Sequence, residues 1–197
     1  MQPTDDLRNH AYLTYDNALV CFALRALADF LDRPELAERA EETREAVYRH
    51  CVKERDGRRF FAWSVDLEGR YDIYDEPPGS LQLLPFYDFC TMDDPVWKNT
   101  VAMIRDKDYP LSFAGHPIAE IGCRHAPHPW VLSICNSLLS GNADGALTHL
   151  RRTRMDNGIA CESVNEDTGV CETGEAFATC AGFLSYALYC ACFSQGG

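Results

Sequence analysis

The chain has no excess of basic residues: 18 Lys and Arg stand against 30 Asp and Glu, for a formal net charge of -12 over 197 residues. A nucleic acid or an anionic membrane surface is bound through a basic face that neutralises phosphate, so neither is an expected partner and a neutral substrate fits better. No apolar run reaches the ~18 residues that a membrane-spanning helix requires. Ten cysteines are present, yet none forms a Cys-x-x-Cys pair; Cys190 and Cys192 are the closest spacing, which speaks against a zinc site. A glycine-rich phosphate loop, a nucleophile elbow and an HExxH motif are also missing, so the chemistry has to come from other side chains, with no metal or cofactor expected. The opening MQPTDD lacks a basic segment followed by an apolar one, from which free thiols and a cytoplasmic location are expected.

What the chain does contain is helical periodicity. With 46% hydrophobic residues it can bury one sizeable core, and a single domain over residues 1–197 is expected. Asp16 reads as the N-cap of a helix from about Asn17 to Leu31 with wide apolar coverage, the mark of a buried inner helix. Pro34 opens an amphipathic, exposed helix to about Val52, and the two form an αα-hairpin. Phe60 to Val65 and Tyr71 to Tyr74 flank Glu68-Gly69 and predict one short β-hairpin. Further inner helices are expected at Leu81 to Phe89, kinked at Pro85, at Trp130 to Leu139 and at Glu175 to Ser194. Outer ones are expected from Asp94-Pro95 to about Asp106 and over Asp144 to Arg154. The fold class is therefore all-α, about seven helices arranged as part of a curved α/α toroid of αα-hairpins, with loops opening on one face.

Glu162 stands out in the turn-rich stretch before the last helix. Ile159, Ala160 and Cys161 precede it, and partial desolvation makes a carboxylate a better proton acceptor near neutral pH. A glutamate that ties a loop or caps a helix would read the same locally. The long loop Tyr109 to Pro129 contains Glu120, Arg124, His125 and His128, candidates to bind sugar hydroxyls or, equally, a solvated polar surface. Asp75 and Glu76, beside two prolines, are candidates for substrate contact or for an acid, or else anions at a helix N-terminus. Trp130 is a stacking platform or a core residue, and Trp63 and Tyr71 share that ambiguity. Glu166, Asp167 and Glu172 read as a solvated turn. Carboxylates beside aromatics and histidines are what glycoside hydrolysis requires: two carboxylates across the bond, with polar and aromatic groups around the sugar.

Specific motifs sharpen this. PTDDLRNHAYLTYDN at Pro3 to Asn17 resembles the PSDD and YLIPSN segments of glycoside hydrolase family 125, the metal-independent exo-α-1,6-mannosidases. Pro78 to Leu81, Pro85 to Tyr87 and Asp93 to Thr100 are similar to its VPSLL, LPYLGF and DDP segments. Ile121 to His125 with Trp130 resembles its IGS-H loop, and Cys161 to Val164 its HESF. The departures are Cys161 for the family's histidine, Val164 for its aromatic, and Glu175 to Ala178 for the Trp-rich opening of its last helix.

The resemblance implies an inverting exo-α-mannosidase acting on terminal α-1,6-linked mannose, with Glu162 as general base and Asp5 or Asp6 as general acid; it does not choose between the two aspartates. It covers only the C-terminal half of such an (α/α)6 domain, since a closed toroid needs about twelve helices. A missing N-terminal half or self-association is therefore expected to complete the wall. A six-hairpin glycosidase acting on another sugar, and a non-catalytic carbohydrate-binding or interaction module, are the alternative readings.

Overall fold

The computed structural model describes residues 10–155 and 158–193. Residues 1–197, expected as one domain, group into two compact units, one within Met1–Asp75 and Leu81–Val101, the other within Glu76–Ser80 and Ala102–Gly197.

In the first unit a two-residue strand, β1 (Tyr12–Leu13), runs straight into α1 (Thr14–Leu31). The helix therefore begins before Asp16, which sits in its first turn instead of capping it. Its start is secured otherwise: the Thr14 hydroxyl donates to the Ala62 carbonyl, and the Asn17 amide donates to the Leu13 carbonyl at 2.7 Å. Asp32 closes the helix in the left-handed region with φ 52°, and Pro34 opens α2 (Pro34–His50) at its first turn. As expected, α2 is amphipathic, with Ala40 and Val47 buried among charged neighbours.

The inner-helix reading of α1 holds on one side only. Ala18, Cys21 and Ala28 are buried, while Val20, Phe22, Leu27, Phe30 and Leu31 are exposed, Phe30 to 84%.

Two small sheets flank the pair. β2 (Val52–Arg55) and β3 (Arg58–Phe61) form a hairpin about Asp56-Gly57, where both turn residues have positive φ as a tight turn demands. The expected hairpin is present as β4 (Ser64–Val65) with β5 (Tyr71–Asp72), and β1 joins it in the order β1-β4-β5. Leu81 to Phe89 is not a helix: a 3₁₀ turn at Leu81–Leu83 gives way to successive turns. Pro85 withdraws a backbone donor, and Asp88, at φ 53°, leaves the helical region. The segment instead delivers Phe89 into a core with Tyr48 and Phe61, ring centroids 5.3 to 6.0 Å apart. Asp94 caps α3 (Pro95–Ile104) by accepting from the Val96 amide at 2.7 Å, and the boundary between units falls within this helix.

The second unit is built on α4 (Val131–Leu139), every residue of which is buried. It packs against both α5 (Ala143–Arg152) and α6 (Ala178–Phe193). Glu175, expected inside the last helix, precedes it; Ser194 lies outside the described residues. A third small sheet pairs β6 (Ser163–Val164) with β7 (Cys171–Thr173). The residues between Tyr109 and Pro129 form the expected long loop, anchored by a cluster of Ile104, Tyr109 and Ile121. All-α is thus a first approximation: six α-helices and three small sheets are seen among the described residues.

All ten cysteines are free thiols; Cys21 and Cys180 are buried as small hydrophobes, whereas Cys192 is exposed. No helix among the described residues is long and apolar enough to cross a membrane.

Replacing Phe61, 2% exposed, by alanine removes a ring from the first unit's core and should cost about 3–5 kcal/mol in urea denaturation. The same change at Phe30 should stay within about 0.5 kcal/mol.

Candidate active site

Glu162 occupies the residue before β6, and its backbone is held on both sides. Its amide is shared between the Thr173 and Gly174 carbonyls at 3.2 and 3.0 Å, and its carbonyl accepts from the Val131 amide, the first of α4, at 3.0 Å. A bridge between Trp130 and Ser163 continues this attachment. The side chain is partly buried. A glutamate in this position is placed by a hairpin and a helix start together, so its backbone has little freedom to wander.

The hairpin is in turn tied to the long loop. The Ile118 amide donates to the Glu166 carbonyl at 2.9 Å and the Val164 amide to the Pro129 carbonyl at 2.9 Å. His116 Nδ1 lies 3.0 Å from Asp167, and His128 Nδ1 lies 3.2 Å from Glu166. Glu166 and Asp167, read as solvated turn residues, are therefore also the acidic halves of two loop contacts. Asn165 shapes the turn by accepting from the Asp167 and Thr168 amides, and Gly169 follows at φ 72°.

Gly122 permits a close approach, because a Cβ there would lie 2.7 Å from the His128 carbonyl oxygen. This contact packs the strand-like Ile121 to Cys123 segment against the residues leading into α4. Arg124 and His125 are exposed at the loop's tip; His125 also meets the Trp130 ring edge-on at 5.4 Å and the Cys123 thiol at 3.3 Å. Trp130 is 2% exposed, its indole N–H donates to the Ala126 carbonyl at 3.1 Å, and Phe177 packs edge-on to it. Its ring is thus core beneath the loop.

Glu120 is fully buried. Both oxygens are engaged: Arg105 at 3.1 Å, the Ser133 and Ser137 hydroxyls at 2.7 and 3.0 Å, and His149 Nδ1 at 2.8 Å. Arg105 also reaches the Ser137 hydroxyl. The carboxylate offered as a sugar ligand is an internal brace joining the loop to α4 and α5. Burial by itself would raise its pKa, but the Arg105 charge, followed by hydrogen bonds from His149 and Ser133, outweighs it and holds the group below the usual carboxylate range.

Asp75, in the first unit, is also fully buried and accepts from the Leu81 amide at 2.7 Å, fastening the turn that follows; Glu76, in the second, is buried as well. Asp5 and Asp6 lie outside the described residues. The structure thus brings Glu162, His128, His125 and Trp130 around the start of α4. Arg105, His116 and His149 were not singled out in the sequence. The signal for the brace was Ser133-x-x-x-Ser137 on a helix whose only other strongly polar residue is Asn136, where two hydroxyls on one face demand polar partners once buried. Among the described residues no cluster of His, Cys, Asp or Glu is arranged to hold a metal ion.

The depressed pKa of Glu120 means its stabilisation is complete above the unfolded value of about 4.3 and is lost as pH falls through the folded one. Glu120→Gln should cost about 3–5 kcal/mol at pH 7, by leaving Arg105 short of its counter-charge, and should flatten the acid limb of the stability–pH profile measured by urea denaturation below about pH 4.

Comparison with curated proteins gives no match. Among solved structures the chain is similar to a Streptococcus pneumoniae protein described among metal-independent alpha mannosidases, in a non-productive substrate complex with alpha-1,6-mannobiose. The TM-score is 0.85 at 20% identity, over 96% of this chain and 49% of that one. The likeness shows the fold, and the chain spans about half the length of that protein. The family model for the metal-independent alpha-mannosidases, GH125, matches residues 1–188, nearly the whole sequence. The chain therefore belongs to the GH125 family of metal-independent alpha-mannosidases.

Proposed function

We propose that the chain is part of a glycoside hydrolase that removes terminal α-linked mannose, with α-1,6-linked mannosides as substrates, as an exo-acting, inverting enzyme in the cytoplasm. Glu162 is its general base and Asp5 or Asp6 its general acid. The observation that carries this reading is the position of Glu162 within a matched family segment. A carboxylate whose backbone is clamped between a hairpin and the start of a buried helix can hold a water in one place.

In an inverting reaction the acid protonates the leaving oxygen while the base takes a proton from water on the opposite face, with the two carboxyl groups about 6.5–9.5 Å apart. Arg124, His125 and His128 supply hydroxyl contacts beside the base. Glu120, Asp75 and Trp130, whose polar groups are engaged internally, serve as supports for those loops.

Glu162→Gln should lower kcat on α-1,6-mannobiose by about 10²–10⁴-fold, since the amide cannot accept the proton. Equal turnover by the two proteins would remove Glu162 from the role.

A second reading is favoured by length. Because 49% of the Streptococcus pneumoniae chain is matched, the rest of the toroid wall comes, in this reading, from a further segment. The exposed Val20, Leu27, Phe30 and Leu31 on α1 are the surface it covers. Until it is supplied, the chain is a mannose-binding module without turnover. Calorimetric titration with mannose that gives binding, together with an absence of mannobiose hydrolysis, would support this second reading over the first.

A further inference from the structure

Gly174 follows β7 with φ +58°, in the left-handed region that favours glycine. Turn geometry alone would account for such a residue, and it does at Gly158, where φ is +74° and an added Cβ would meet nothing within 4 Å. Gly174 is different. A Cβ built on it would lie 2.8 Å from the Glu162 Cβ and 3.6 Å from Glu162 Oε2. Real Cβ atoms do not approach that closely, and the neighbour is the first atom of the side chain, so no flexible far end can swing aside. No rotation of the Glu162 side chain relieves that contact, because Cβ is fixed by the backbone; the hairpin would have to open and carry Glu162 with it. The Gly174 carbonyl also accepts from the Glu162 amide at 3.0 Å, so the two residues are locked together through the backbone while their side-chain faces touch.

We infer that Gly174 is a positioning residue for Glu162: its bare Cα lets the two backbones close to the spacing that fixes the Glu162 Cα–Cβ bond, and with it where the glutamate side chain starts. The inference rests on Glu162 being the base, yet its steric part stands without turnover. In a double-mutant cycle, Gly174→Ala loses more thermal stability than Gly158→Ala, which also places a side chain at positive φ but without the contact. In a Glu162→Gly background, with the opposing Cβ gone, the excess disappears. If Gly174→Ala fails to fold alone but folds beside Glu162→Gly, the contact is established by that rescue. An excess that persists in the Glu162→Gly background, or no excess at all, would overturn the inference.

The catalytic part is read on α-1,6-mannobiose. Gly174→Ala should lower kcat about 10–100-fold with KM little changed, the effect of a displaced catalytic group. Gly158→Ala should match the wild type. Full kcat in Gly174→Ala, alongside a wild type that loses turnover on Glu162→Gln, would refute positioning while leaving Glu162 as base. A wild type without turnover would strike at the functional reading instead, and the stability cycle would still decide the contact.

Discussion

The buried carboxylate of Glu120 is the constraint on which the second unit depends. A charge with no exposure to water is tolerable only if its oxygens are hydrogen-bonded and its charge balanced, and here Arg105, Ser133, Ser137 and His149 do both. Those partners come from the residue that follows α3, from α4 and from α5, so satisfying one side chain fixes the long loop against two helices. The cost of failure is high because a half-paired buried network is worse than an apolar one. This explains why a loop of about twenty residues with little regular structure can be held in one conformation.

From that brace the order passes to the hairpin. The loop presents His116 and His128 to Asp167 and Glu166, and the backbone contacts at Ile118 and Val164 close the same seam. The hairpin then offers the Thr173 and Gly174 carbonyls to the Glu162 amide, while α4 offers its first N–H to the Glu162 carbonyl. The backbone links satisfy amide and carbonyl groups of the seam, while the His116–Asp167 pair lies exposed at its surface. The position of Glu162 is the sum of these accounts, and its immediate neighbours in sequence contribute only part of it.

The helices that read well were those with a clean pattern and a clear punctuation mark. Pro34 and Asp94-Pro95 open α2 and α3, and their amphipathic spacing carries into the structure. Leu81 to Phe89 has the apolar density of a helix, but Pro85 and Asp88, at positive φ, break it into turns. α1 has a broad apolar surface, of which Val20, Phe22, Leu27, Phe30 and Leu31 are exposed. Periodicity reports which faces are apolar, but the partner that covers a face is a separate matter.

The sequence by itself determined the acidic, zinc-motif-free character of the chain, most of its helices, its family motifs and the prominence of Glu162. These depend on local composition, on spacing and on short ordered segments, which survive in a linear text. Only the tertiary structure decided that Glu120 is an internal brace and not a ligand, that Trp130 is core, and that Gly174 touches Glu162. Glu120 meets Ser133 and His149, 13 and 29 positions away, and Gly174 meets Glu162, 12 positions away, within hydrogen-bond or van der Waals distance. Burial then converts each such meeting into a requirement, because a charge, a hydroxyl or a Cβ in a closed space must find a partner or be absent.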